Sequence, residues 1–280
     1  MKWVSFRQGL AVHSGIVVDN RIVDLGPAPL EAWLQRRDEA ENAMDLAPKL
    51  SLDGAELVQP IRRPGKILGI GLNYSDHAAE TGREPPKVQT WFVKQATAAN
   101  APYGDVEMPS VSDKLDYEAE LVVVIGEYGR HVPADRAMEI VAGFTCGCDY
   151  SVRDWQRATP TMNMGKGFDT HAPFGPWIVS PDELGDISDL GVRCLVNGEV
   201  RQSGRAGDMI YGVAEQIAHL SAAFTLEPGD ILFTGTPAGV GVAFDPPKFL
   251  RVGDTVRVEI DGIGHLENTI VEDPGTVRIG

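Results

Sequence analysis

The segment DYEAELVVVIG, residues 116–126, most narrows the range of folds open to this chain. Its second half, LVVVI, is apolar and largely β-branched, which predicts a buried strand. Because side chains alternate across a strand, Glu118 and Glu120 share one face about 7 Å apart, and that face continues as valine. Each buried carboxylate raises the pKa of the other unless a cation neutralises them. The segment therefore predicts a cation at the start of a core strand.

Composition and charge limit the classes of partner. Of the 280 residues 43% are hydrophobic, which is typical of a globular protein with a sizeable core. With 25 basic and 40 acidic residues the net charge is −15, which disfavours binding to nucleic acid or to an anionic membrane. The apolar runs are far shorter than a membrane span, and Arg7 stands where a secretory signal needs its apolar stretch. We therefore expect a cytoplasmic protein.

Strand, turn and helix patterns predict an α+β protein that is mostly β. The first 25 residues alternate like a small sheet with a turn at Asp19–Asn20, and residues 30–46 have a helical composition. The linker candidate VQPIRRPGK places a small N-terminal α/β domain at residues 1–62 and a larger domain at residues 63–280. Further elements are predicted in that larger domain: hairpin turns at Asn197–Gly198 and Asp261–Gly262, and helices over 133–140, 151–157 and 208–224.

Two common kinds of site are disfavoured by the sequence. The glycine-containing segments GIGLNY and TGTPAGVG complete neither GxGxxG nor GxxxxGK[ST], which argues against a nucleotide enzyme. The pair CGC lacks the second Cys/His pair of a zinc site, so we expect Cys146, Cys148 and Cys194 to be buried reduced thiols.

A third carboxylate completes a candidate metal site. Asp149 follows the apolar stretch VAGFTCGC, where a strand is predicted to end, and strand ends commonly carry functional residues. Glu118, Glu120 and Asp149 offer only oxygen ligands, which suit Mg²⁺ or Mn²⁺, with Ca²⁺ as an alternative occupant. For the glutamate pair alone, a solvated strand face is the competing explanation.

Polar side chains next to Asp149 predict a place for an anionic substrate. Ser151 and Asp154 resemble a capping box, so a helix is expected to begin there. Arg153 and Gln156 then lie on one helical face, where a guanidinium and an amide could hold a carbonyl-bearing anion. Each of them, taken alone, is more often an ordinary surface residue.

Two further motifs supply candidate acid–base and cationic groups. In NYSDHAAE, His77 and Glu80 are three residues apart, so that the carboxylate can orient the imidazole. An exposed helical contact is the alternative explanation for that pair. In NMGKGFDT, Lys166 stands between two glycines, which predicts a loop where the backbone approaches a ligand closely.

Six motifs in this order resemble the fumarylacetoacetate hydrolase superfamily: GLNYSDHAAE, DYEAELVVVIG, CDYSVRDWQ, MGKGFDTHAPFGPWIV, VNGEVRQ and LEPGDILFTGTPAGVG. The resemblance covers about Lys66 to Glu272. It implies a mixed β-roll catalytic domain after a small N-terminal domain, and a homodimer. It also implies these roles: metal binding by Glu118, Glu120 and Asp149, a catalytic His77–Glu80 pair on a mobile lid, charge stabilisation by Lys166, and substrate contacts from Arg153, Gln156 and Thr236. For Thr236, a glycine-rich turn without substrate contact is the alternative.

One departure indicates the branch of the family. Asn73 stands where the fumarylacetoacetate-cleaving members have an additional aspartate ligand, so the chain is more similar to the three-carboxylate branch, which acts on acylpyruvates and related 2-oxo acids. Such an acid can chelate a divalent ion, which then stabilises an enolate. We expect residues 76–89 and 244–249 to contact the acyl group.

The function expected from these features is metal-dependent C–C bond hydrolysis in a 2,4-dioxo acid, with His77 and Glu80 deprotonating the attacking water. Two alternatives stay open. One is a decarboxylase or isomerase of a 2-oxo diacid on the same site. The other, from a different class, is a non-catalytic Ca²⁺-stabilised binding protein in which the carboxylates only hold the fold.

Overall fold

The computed structural model describes residues 1–277 and 279. Its strands, numbered in chain order from β1 to β19, are Lys2–Gln8, Ala11–Val18, Arg21–Gly26, Lys49–Ser51, Leu57–Val58, Ile67–Gly71, Thr90–Lys94, Ala99–Asn100, Val106–Met108, Leu115–Asp116, Ala119–Ile125, Val141–Cys148, Ser151–Val152, Ala172–Val179, Gly191–Val196, Glu199–Arg205, Ile231–Phe233, Thr255–Ile260 and Gly264–Glu272. The α-helices, α1 to α7, are Leu30–Leu34, Arg37–Ala43, Ser75–Glu80, Arg153–Arg157, Asn163–Lys166, Pro181–Leu184 and Val213–Ala223. Short 3₁₀ helices are Ala96–Ala98, Ala134–Ile140, Ile187–Asp189, Ala206–Asp208 and Gly241–Ala243.

Most strands belong to two mixed sheets. The larger sheet runs in the order β4-β3-β2-β1-β14-β12-β11-β17-β6-β7, with β5 beside β1 and β8 beside β14. The smaller has the order β16-β15-β18-β19-β9, and β10 pairs with β13 alone. The strands of residues 1–62 continue the larger sheet, because Lys2 and Trp3 of β1 pair with Val179 and Ile178 of β14. The division of the chain near residue 62 stays a prediction.

Strand β11 lies at the centre of the core, as its sequence predicts. Its seven residues are all buried, and Leu121 and Val123 belong to the apolar cluster shared with the smaller sheet. Val122 and Val124 belong to a second cluster on the opposite face, packed with Trp3 and the N-terminal helices. The two faces of β11 are thus both covered, and the mostly β, mixed-sheet architecture expected from the sequence is confirmed.

Local predictions hold in part. Hairpin turns occur at Asp19–Asn20, Asn197–Gly198 and Asp261–Gly262, between consecutive paired strands. The predicted helix over residues 30–46 is two helices, α1 and α2, separated at Gln35 and Arg36. Residues 134–140 form a 3₁₀ helix, and 213–223 form α7. None of the described helices is long and apolar enough to cross a bilayer.

The predicted capping box at Ser151 is wrong. Ser151 lies in β13, helix α4 begins at Arg153, and its N-cap residue is Val152, which makes no side-chain cap hydrogen bond. The Ser151 hydroxyl instead donates back to the carbonyl of Asp149 at 3.1 Å. The three cysteines are free and buried as expected. Burial raises the pKa of the Cys146 and Cys148 thiols above the ordinary value, which keeps them protonated.

Candidate metal and acid–base site

The antiparallel pairing of β11 with β12 brings the three predicted carboxylates together. Ala119 lies opposite Cys148, so Glu118 and Asp149 are neighbours just beyond the paired ends, and the Asp149 amide donates to the Glu118 carbonyl at 2.9 Å. Glu120 lies opposite Gly147 on the same strand pair. One carboxylate oxygen from each of the three lies within 4.8 Å of the others, and all three side chains are buried. That they bind a metal stays a prediction.

Three buried cations contact these carboxylates. The Lys166 ammonium lies 2.6 Å from Glu118 Oε2 and 2.5 Å from Asp149 Oδ2. The Arg153 guanidinium donates from Nη1 to Glu118 Oε1 at 2.6 Å. The Lys94 ammonium donates to Asp149 Oδ1 at 2.5 Å and to the Tyr150 carbonyl at 3.2 Å. Glu118 and Asp149 are therefore each held by two cationic side chains.

Glu120 differs from its two neighbours. Its hydrogen bond is to the Gly235 amide, which donates to Oε2 at 2.7 Å, and no ion pair to a lysine or arginine is formed by it within the described residues. Burial, together with the charges of Asp149 and Glu118, raises the pKa of Glu120 well above its ordinary value. Burial acts in the same direction on Glu118, but the charges of Lys166 and Arg153 outweigh it and lower the pKa of Glu118.

The residues fit a hard divalent cation. The donor set is three carboxylates with only oxygen ligands, which is the chemistry that Mg²⁺ and Mn²⁺ prefer. Among the described residues, no lysine or arginine forms an ion pair with buried Glu120. A divalent ion held by Glu118, Glu120 and Asp149 would supply positive charge there.

The acid–base pair lies on helix α3. The Nδ1 atom of His77 is 2.7 Å from Glu80 Oε1, as the three-residue spacing predicts. The second oxygen of Glu80 accepts the Gly239 amide at 2.8 Å, and Asp76 Oδ2 accepts the Ala238 amide at 3.3 Å. The segment TGTPAGVG thereby fastens the helix over the site. With Nδ1–H donated to Glu80, the free imidazole nitrogen is Nε2. Mobility of this lid stays a prediction.

One cavity of about 770 Å³ joins the two parts of the site. Its lining includes His77, Glu118, Glu120, Arg153, Gln156, Lys166 and Thr236, so seven of the nine predicted site residues face one space. Glu80 lies behind His77, and Asp149 lies behind Lys166 and Lys94. The loop 244–249, expected to contact the acyl group, does not line this cavity; Pro247, Lys248 and Phe249 line a separate depression.

The three side chains predicted to contact the substrate differ in how much of their hydrogen-bonding capacity is unused. The Thr236 hydroxyl donates to the Ala119 carbonyl at 2.8 Å and accepts from Gln202 at 2.7 Å, so its hydrogen-bonding capacity is largely used. Gln156 Oε1 accepts from Arg153 at 3.0 Å. Arg153 Nη2 is buried and makes no hydrogen bond to any described residue, which makes it an available donor. Substrate binding by all three stays a prediction.

Two residues of the site were not foreseen. Asp116 accepts from Arg153 Nε at 2.8 Å and from the Gly241 and Val242 amides at 2.7 and 2.9 Å, so it orients the guanidinium and the glycine-rich loop together. Lys94 is the last residue of β7, and no local sequence pattern marks its burial or its contact with Asp149. Lys166 lies at the end of helix α5, which replaces the predicted loop. Asn73 is fully buried and holds the Tyr211 and Thr234 backbone.

The fold and this set of side chains are those of a known enzyme family. Residues 66–271 match the family model described as "Fumarylacetoacetate (FAA) hydrolase C-terminal", and the chain belongs to this family. The resemblance stated from the six sequence motifs is thereby confirmed.

Relatives within the family have different named activities. The chain is 38% identical, over 94% of its length and 87% of the relative's, to "Oxaloacetate tautomerase Fahd2a, mitochondrial" of Rattus norvegicus. It is similar to the solved 5-carboxymethyl-2-hydroxymuconate delta-isomerase of Mycobacterium smegmatis, with a TM-score of 0.82, 31% identity, and 98% and 100% of the two chains covered. It is also similar to the maleylpyruvate hydrolase of Sphingobium sp. SYK-6 in complex with manganese(II) and pyruvate, with a TM-score of 0.81, 28% identity, and 97% and 99% covered.

Proposed function

We propose that this protein is a divalent-metal-dependent tautomerase that interconverts the keto and enol forms of a 2-oxo diacid of the oxaloacetate type. The observation that carries the proposal is that His77, held by Glu80, lines the same cavity as Glu118 and Glu120. The named activity of the rat relative supports it. The hydrolase expected from the sequence becomes the second candidate. Tautomerisation needs only a base and positive charge near the substrate oxygen, whereas hydrolysis also needs a positioned water.

The chain's own residues supply the proton transfer. The free Nε2 of His77 takes a proton from C3, the electrons of that C–H bond form the C2=C3 double bond, and the ketone electrons move to the oxygen at C2. The proton on the imidazolium then returns to C3, which restores the ketone, or goes to the oxygen, which gives the enol. Glu80 holds the ring through Nδ1 in both directions.

Cationic groups stabilise the negative charge that develops on the substrate oxygen. Glu118, Glu120 and Asp149 would hold a divalent ion, which when bound would supply Lewis-acid stabilisation of negative charge. Arg153 supplies a further donor, because its Nη2 atom is unengaged among the described residues. Lys166 adds positive charge at the floor and is held there by two carboxylates.

The proposal is tested by following the loss of enol absorbance of oxaloacetate with Mg²⁺ or Mn²⁺. His77→Ala should lose roughly 10²–10⁴-fold in rate, the usual size of a general-base contribution. His13→Ala is the matched control, because His13 has a similar carboxylate partner, with Nδ1 2.8 Å from Asp24 Oδ1, but lies outside the cavity. Wild-type turnover in His77→Ala, or equal losses in both variants, would refute the role of His77.

The second candidate is hydrolysis of a C–C bond in an acylpyruvate or related 2,4-dioxo acid. The likeness to a hydrolase solved with manganese(II) and pyruvate favours it, and the same imidazole could deprotonate a water. Product analysis separates the candidates: hydrolysis releases pyruvate from an acylpyruvate, decarboxylation releases CO₂ from a 2-oxo diacid, and tautomerisation releases neither.

Two further properties belong to the proposal. We infer a homodimer from the family resemblance, and light scattering of the purified protein tests it. The cytoplasmic location stays a prediction, and the rat relative is named as mitochondrial. Fractionation of cells that make the full-length protein decides between the two compartments.

A further inference from the structure

The cavity above the carboxylates has more cationic than acidic side chains, although the chain as a whole has a net charge of −15. Its acidic side chains, Glu118 and Glu120, are buried at the floor. Arg83 and Arg157 line the same cavity and are exposed. Neither side chain forms an ion pair or a hydrogen bond within the part of the chain that the structure describes. Two unpaired guanidinium groups therefore stand where a ligand would enter.

Arg157 lies one helical turn beyond Arg153 on the same face of α4. Residues four apart on a helix have Cβ atoms about 5–6 Å apart. Arg153 is buried and bonded to Glu118, Gln156 is half-buried, and Arg157 is exposed. This face of α4 thus runs from the candidate metal carboxylates outward to the mouth of the cavity.

Arg83 lies on a different wall, next to the lid helix. Its backbone amide donates to the Ala78 carbonyl at 2.9 Å, which folds residues 81–83 back against α3. Thr81 is held in the same turn, because its hydroxyl donates to the His77 carbonyl at 3.1 Å. Arg83 is therefore attached to the helix that carries the proposed base.

We propose that Arg83 and Arg157 bind the distal carboxylate of a 2-oxo dicarboxylate and so determine selectivity for diacids over monoacids. Guanidinium groups bind carboxylates through paired, charge-assisted hydrogen bonds. In a four-carbon 2-oxo diacid the second carboxylate is at the end of the molecule away from the 2-oxo acid group, so it would face the outer part of the cavity, which Arg83 and Arg157 line. The inference rests on the proposed function, since it takes the 2-oxo acid end to lie at the carboxylate floor.

The test compares ligands that differ only at the distal end. Oxaloacetate and 2-oxobutanoate have a carboxylate and a methyl group, respectively, at C4, and oxalate has no distal part. Arg83→Gln and Arg157→Gln should each lower kcat/KM for oxaloacetate roughly tenfold, mainly through KM. The inhibition constants of 2-oxobutanoate and oxalate should not change. Arg63→Gln, which removes an exposed arginine outside the cavity, is the matched control and should behave as wild type.

Each outcome has a distinct meaning. Unchanged kcat/KM for oxaloacetate in both variants overturns the inference, as does an equal weakening of all three ligands. A wild-type protein that does not turn over oxaloacetate with any divalent metal overturns the proposed function itself. In that case binding of oxaloacetate measured by calorimetry still tests the arginines, because a tenfold loss confined to the diacid supports them and equal binding overturns them.

Discussion

The imidazole of His77 is held by Glu80 through a 2.7 Å contact between Nδ1 and Oε1. The same carboxylate also accepts the Gly239 amide at 2.8 Å, so it serves two donors at once. The single side chain of Glu80 therefore holds both the proposed base, His77, and the segment TGTPAGVG. That double role leads to the first prediction.

Glu80→Gln should lower kcat roughly tenfold, about the value of one hydrogen bond, with little change in KM. A glutamine has one oxygen acceptor, so it cannot serve both His77 and Gly239, and one donor is left unpaired. Glu84→Gln is the control, because Glu84 is an exposed acid on the same segment. A steady-state comparison in which both variants keep wild-type kcat would contradict the role assigned to Glu80.

Glu120→Gln and Glu118→Gln should both lose most of their affinity for Mg²⁺ or Mn²⁺, but only Glu118→Gln should destabilise the protein. Glu118 is bonded to Lys166 and Arg153, so its replacement leaves two buried cations with a weaker partner and lowers the melting temperature. Glu120 bonds only the Gly235 amide among the described residues, and burial disfavours its charge, so Glu120→Gln should be neutral or stabilising without metal.

Calorimetric titration with metal and thermal melts in EDTA check both parts of that prediction. Wild-type affinity in either variant would remove that carboxylate from the metal site. Equal melting temperatures for the two variants in EDTA would contradict the difference in their partners.

Lys94→Met should destabilise the protein by about 3 kcal/mol, the typical cost of breaking a buried ion pair by removing one partner. The change leaves Asp149 Oδ1 and the Tyr150 carbonyl without their donor. Lys87→Met, at an exposed lysine near the same strand, is the control. Denaturant unfolding measures both, and equal midpoints for Lys94→Met and wild type would show that Lys94 contributes nothing there.

His171 should make stability depend on pH between about 3 and 6.5. Burial lowers the pKa of His171 from 6.5 to about 3, so the folded protein binds fewer protons than the unfolded chain in that interval. The free energy of unfolding therefore falls as the pH falls through it, by at most about 1.4 kcal/mol per pH unit. His171→Gln should reduce that slope by removing the contribution of His171, and exposed His219→Gln should leave it unchanged. Parallel stability profiles for all three proteins would contradict this.

Much of the site follows from local sequence because strand and helix spacing decide it. The two-residue period places Glu118 and Glu120 on one face, the three-residue spacing pairs His77 with Glu80, and the end of an apolar run places Asp149. These relationships need no knowledge of distant contacts.

What sequence reasoning missed depends on contacts between distant segments. Lys94 and Asp149 are 55 residues apart, and Arg153 and Asp116 are 37 apart, so neither pair has a local pattern. The capping box at Ser151 failed for the same reason, because pairing of Ser151 with Asp116 extends the chain there. The N-terminal segment looks separate in composition, but in the described structure the pairing of β1 with β14 joins it to the larger sheet.

The proposed tautomerase activity is tested most directly by the exchange of the C3 protons of oxaloacetate in D₂O. NMR monitors the exchange with metal-loaded wild-type protein before and after addition of EDTA. The protein should accelerate exchange with Mg²⁺ or Mn²⁺, EDTA should abolish the acceleration, and the fold should largely survive EDTA. Exchange no faster than in buffer with any divalent metal would contradict the proposed tautomerase activity. A structural ion would instead show itself through a large fall in melting temperature in EDTA with no catalysed exchange beforehand, as the non-catalytic alternative requires.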